Sequence, residues 1–82
     1  MPIDHHHVAL NVRIARVAHG LTQRELADLV GCRQALISAT ELGLRPTPQL
    51  LERLASALGV EVAVLLRPSR ARLVQGGRDA AA

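Results

Sequence analysis

Residues 21–41 read Leu21-Thr22-Gln23-Arg24-Glu25-Leu26-Ala27-Asp28-Leu29-Val30-Gly31-Cys32-Arg33-Gln34-Ala35-Leu36-Ile37-Ser38-Ala39-Thr40-Glu41, and they encode two short helices around a turn. Thr22 and Glu25 stand at capping-box spacing, where hydroxyl and carboxylate each satisfy a backbone amide at a helix start. Leu26, Ala27 and Val30 follow at helical spacing on one side. Gly31 then supplies the left-handed conformation that a sharp turn requires. Beyond it a further helix is expected over about residues 33–42, its buried face made by Leu36, Ile37 and Thr40.

Working outward, a first helix is expected through Val8, Val12, Ala15 and Arg16, capped by Asp4 and stopped by Gly20. On the other side Gly43 closes the third helix, and Leu44-Arg45-Pro46 forms a loop. Thr47-Pro48 pairs a threonine cap with proline at the first helical position, a strong start for a fourth helix. Leu50, Leu51, Leu54, Ala55 and Leu58 make its inward stripe, and Gly59 ends it. A short fifth helix over roughly residues 61–66 precedes Pro68, which rules out its simple continuation. The organisation expected is a lead-in at 1–7, one domain at 8–66, and a basic, flexible tail at 67–82 rich in Arg, Gly and Ala.

Composition agrees with an all-α fold, a compact bundle of about five helices. Eighty-two residues suffice for one core. Aromatic residues are absent and 49% of the chain is hydrophobic, so Leu, Val, Ile and Ala must fill that core, which favours packed helices over a sheet. The formal net charge is +3, and all ten cations are arginine. Residues 67–82 carry four of these arginines and a single aspartate, so the whole excess lies in the tail and the remainder is neutral. Cys32 is the single cysteine, which excludes an intramolecular disulfide and fits a reducing compartment. With no bilayer-length apolar run and no signal-peptide pattern, the chain is read as cytoplasmic and away from any membrane.

A turn at Gly31 brings the third helix out steeply from the second, with one face on the core and the other on solvent. That geometry suits a DNA major groove, which is about as wide as one helix. The pattern Leu21-Thr22-Gln23-x-Glu25-Leu26-Ala27, Gly31, Gln34, Ile37-Ser38, Glu41, Gly43, Pro46, Leu50-Leu51, Leu54-Ala55-x-x-Leu58-Gly59-Val60 and Leu65-Leu66 resembles the lambda-repressor-like, or Xre/Cro-type, helix-turn-helix family over residues 8–66. The resemblance implies a sequence-specific DNA-binding transcriptional regulator. It places base reading on Arg33, Gln34, Ala35, Ser38 and Ala39, and backbone contacts on Thr22, Gln23, Gly43 and Arg45. It also implies an ion pair between Arg16 and Glu41 linking the first helix to the end of the third. Gln34 has the chemistry to pair with adenine N6 and N7, and Arg33 with guanine O6 and N7. A homodimer on a near-palindromic operator is expected, because two copies double the contacts of one small module; Val62, Val64 and their neighbours offer a self-complementary patch.

Departures from the family pattern are as informative. Arg33 stands where a Ser or Thr cap is usual. Ala35 and Ala39 offer methyl groups alone, and Thr40 is polar where an apolar residue is usual. Leu42 and Leu44 replace Lys, Arg or Asn, which removes phosphate contacts and leaves apolar surface near the groove-facing side. Those two leucines support a rival reading: a protein-interaction module, antitoxin-like or adaptor, docking a partner protein there.

The remaining polar residues have simpler readings. Consecutive residues on a helix diverge by about 100°, so His5, His6 and His7 cannot all face one metal ion and are read as solvated. His19 is read as a surface cation suited to the helix dipole, and Cys32 as a small residue packed under the turn. Tail arginines either grip phosphates or serve solubility. No Ser/His/Asp order, glycine-rich phosphate cradle or paired Cys-x-x-Cys is present. The expectation is therefore no enzyme, no cofactor and no metal.

Overall fold

The computed structural model describes residues 6–68. Among these residues the chain forms five helices and no strand: α1 (His6–Ala18), α2 (Gln23–Val30), α3 (Gln34–Glu41), α4 (Pro48–Leu58) and α5 (Val62–Leu66). Helix α1 thus includes His6 and His7, which the sequence assigns to the lead-in. The Asp4 cap and tail residues 69–82 lie outside the described residues.

Local chemistry explains the helix boundaries. Thr22 Oγ1 accepts from Glu25 N at 3.0 Å while a Glu25 carboxylate oxygen accepts from Thr22 N at 2.8 Å, a reciprocal cap on α2. That helix ends at Gly31, whose φ of 84° is left-handed and whose N–H donates to Ala27 O at 2.8 Å. A Cβ there would meet nothing within 4 Å, so backbone conformation alone selects glycine. Helix α4 starts on Thr47, whose hydroxyl accepts from Leu50 N at 3.1 Å, with Pro48 at the first helical position. Helix α3 starts without such a cap: Arg33 occupies the cap position with extended backbone but makes no side-chain cap bond.

Packing joins all five helices around one apolar cluster. Val8 and Val12 of α1, Leu26, Ala27 and Val30 of α2, Ile37 of α3, Leu54, Ala55 and Leu58 of α4, and Leu65 of α5 are buried together. Helix α2 packs on α3 and α4, whereas α1 packs on α3, α4 and α5. Burying a Leu or Ile side chain contributes about 1.5–3 kcal/mol, so these residues supply most of the drive to fold.

Among the described residues Thr40 is the polar residue buried within this core. Thr40 is fully buried, and its hydroxyl donates to Leu36 O at 2.8 Å. The bond removes the penalty for burying an unpartnered hydroxyl, which explains how a threonine is tolerated at an apolar position.

A five-residue helix cannot hold itself together in water, and α5 depends on α1 for its end. Asn11 Nδ2 donates to Leu65 O at 3.0 Å and to Arg67 O at 2.7 Å. It thereby takes up carbonyls that the last turn leaves without intrahelical partners. Leu66, by contrast, stays half exposed at the same end.

Candidate nucleic-acid interface

Helix α3 divides into two faces. Ile37 and Thr40 lie in the core and Leu36 is half-buried, whereas Arg33, Gln34 and Ala35 are exposed and Ser38 and Ala39 are half-buried. The solvent side is therefore a narrow ridge of one cation, one amide, one hydroxyl and two methyl groups. Along it the chemistry can donate and accept hydrogen bonds at the N-terminal end and offers apolar contact in the middle.

The ridge continues into the loop after α3. Leu42 is 81% exposed and Leu44 51%. Gly43 between them has a φ of 115°, and Arg45 is exposed. At the other edge Thr22 is exposed and Gln23 half-buried at the start of α2, where a helix N-terminus presents free amides to an anion.

Beneath the ridge Arg16 reaches from α1 to the last residue of α3. Its Nε donates to Glu41 Oε2 at 2.6 Å and its Nη2 to Glu41 Oε1 at 3.1 Å. The two side chains are only 13% and 4% exposed. Those hydrogen bonds push the Arg16 pKa further up, with burial opposing and the Glu41 charge assisting. The third guanidinium nitrogen, Nη1, donates to Leu21 O at 2.7 Å, so the same side chain also holds the segment that leads into α2. Gln23 Nε2 donates to Glu41 Oε1 at 3.2 Å. The arrangement brings Arg16, Gln23 and Glu41 into one cluster, with Thr22, Gly43 and Arg45 outside it.

One contact in the surroundings was not visible in the sequence. His19, read as a surface residue suited to the helix dipole, is exposed, and its Nε2 lies 2.7 Å from Leu58 O, joining the end of α1 to the end of α4. Cys32 is half-buried beneath the turn; burial pushes its thiol pKa up, with the Arg53 charge opposing. An open depression on α2 bordered by Leu21, Glu25, Asp28 and Leu29 has the wrong charge for phosphate. Among the described residues no cluster of His, Cys, Asp and Glu could hold a metal ion. No helix there is long and apolar enough to cross a membrane.

A helix-turn-helix family profile matches residues 12–65. The chain belongs to the Xre/lambda-repressor-like helix-turn-helix family. Among solved structures, it is similar to a hypothetical transcription factor, NHTF from Neisseria, at 34% identity and a TM-score of 0.78, over 88% of this chain and 84% of that one. It is also similar to the clp gene regulator ClgR from Corynebacterium glutamicum. One ClgR structure matches at 30% identity and a TM-score of 0.71, over 80% of this chain and 87% of that one. Another matches at 28% identity and 0.76, over 95% and 85%. In helix-turn-helix terms α2 and α3 are the paired helices and α3 is the second, groove-sized element. The Arg16–Glu41 pair fastens that element to α1.

Proposed function

We propose that this helix-turn-helix chain is a sequence-specific DNA-binding transcriptional regulator that lays the exposed ridge of α3 in the major groove. The observation that carries the reading is the division of α3 itself: Ile37 and Thr40 anchor it in the core while Arg33, Gln34 and Ala35 remain open to a duplex. Gln34 and Arg33 read base edges, the first suited to adenine and the second to guanine or a phosphate. Ala35 and Ala39 meet thymine methyl groups, and Ser38 is able to bond either a base or the backbone. Thr22, Gln23, Gly43 and Arg45 approach phosphates on either side.

The protein acts as a homodimer in the cytoplasm, without catalysis or cofactor, on half-sites about one helical turn (~34 Å) apart. A single module of this size has few contacts to offer, and the exposed Leu66 and Ala63 beside Val62 and Val64 supply apolar surface for self-association. Selection from a random duplex library tests the reading. Enrichment of a near-palindrome, with affinity that falls steeply as salt rises, is the expected result. Failure to retain any duplex even at low ionic strength would overturn it.

The exposure of Leu42 and Leu44 favours a second reading, a module that docks a partner protein through this apolar pair. Lysine at both positions separates the two. Added cations beside the groove tighten duplex binding generally under the first reading, whereas under the second they abolish partner capture and leave no duplex affinity to improve.

A further inference from the structure

We infer that Glu41 is a positioning residue for the phosphate anchor of this protein: it turns the Gln23 amide so that an N–H, and not the carbonyl, faces the duplex. The inference rests on the DNA-binding reading above and deepens it.

The geometry is set by what each group can donate. A carboxylate is acceptor-only, so the contact at 3.2 Å between Glu41 Oε1 and Gln23 has to be made by Nε2. One of the two Nε2 hydrogens is thereby spent on Glu41 and the other is left at the N-terminus of α2, beside the free amides of that first turn. A phosphate oxygen accepts and cannot donate, so the outward N–H has the right sign. An amide free to rotate would present its carbonyl oxygen part of the time and repel the anion.

A bare carboxylate next to a phosphate site would defeat this purpose. Arg16 removes the difficulty, because its Nε and Nη2 both bind Glu41 and the pair carries no net charge. Arg16 Nη1 meanwhile holds Leu21 O at 2.7 Å, two residues before Gln23. One cluster therefore fixes the orientation of the Gln23 amide and the start of α2, and ties both to the last residue of α3. The spacing between phosphate anchor and base-reading ridge is set by the same groups.

The test is a double-mutant cycle on a selected duplex. Affinities are measured for the wild type, Glu41→Gln, Gln23→Ala and the double variant, on the unmodified selected duplex and on copies of it in which single phosphates are replaced by methylphosphonate. Glu41→Asp, which keeps the charge opposite Arg16 but is too short to reach both partners, serves as a second variant should Glu41→Gln melt below the assay temperature. The expected result is a loss of about three- to tenfold for each single variant. The double variant should be no weaker than Gln23→Ala, and one methylphosphonate position per half-site should weaken the wild type but none of the variants. Losses that multiply, or a Glu41 variant that keeps full sensitivity at that phosphate, overturn the positioning role and leave DNA binding standing. A wild type that binds no duplex overturns both.

Discussion

His19 Nε2 lies 2.7 Å from the carbonyl oxygen of Leu58, so the residue after α1 holds the last residue of α4. The carbonyls of a final helical turn have no intrahelical donors, and the imidazole supplies one to α4. Alanine at position 19 should lower stability by about 0.5–1.5 kcal/mol, because water can partly replace the ring at this open site. In a domain of this size that is a fall in melting temperature of roughly 4–8 °C per kcal/mol. An unchanged melting curve would mean that the contact contributes nothing in solution.

Thr40 is buried without need of its hydroxyl, since Oγ1 bonds back to Leu36 O within the same helix. Such bonds compete with helix geometry instead of reinforcing it. Thr40→Val, close in shape, should therefore match the wild type or melt slightly higher, whereas Thr40→Ser, which deletes a buried methyl, should be less stable by about 1 kcal/mol and melt lower. Thermal melts of the two variants decide it; a valine variant less stable than the serine variant would assign the hydroxyl a structural role.

Burial of Cys32 should make stability decline at alkaline pH. Burial raises its pKa in the folded state above that of the unfolded chain, so the unfolded thiol ionises first. Stability from this group is fully present below the unfolded pKa and is lost as pH rises through the folded one. Cys32→Ala should flatten the decline measured by denaturant titration above the ordinary thiol range. Alkylation of the wild type at neutral pH should be slower when folded than in denaturant. Equal alkylation rates in the two states would refute the shift.

Two substitutions separate the roles along the ridge. Gln34→Ala should relax base preference at one position per half-site, at a cost of about 1–3 kcal/mol against the preferred base. Arg45→Ala, on the loop beyond Gly43, should weaken every sequence about equally and reduce the dependence of affinity on salt by about one charge. Binding to a panel of single-base operator variants reads both effects, and identical profiles for the two substitutions would show that the assignment of reader and anchor is wrong.

The helices, their order and the turn at Gly31 were legible in the sequence because their signals are local. Thr22 reaches Glu25, Thr47 reaches Leu50, and a glycine sets its own φ, all within one turn of chain. The pairing of Arg16 with Glu41 was expected only through family resemblance, for no spacing rule joins residues 25 apart. What tertiary structure alone decided is where long-range polar groups find partners. Asn11 ends α5, His19 holds α4 across 39 residues, and Gln23 turns toward Glu41. Two of these three side chains bond backbone carbonyls, which every residue possesses, so no side-chain pattern could announce them. They exist because packing five short helices on one apolar core leaves helix ends side by side, and the nearest donor takes the free acceptor.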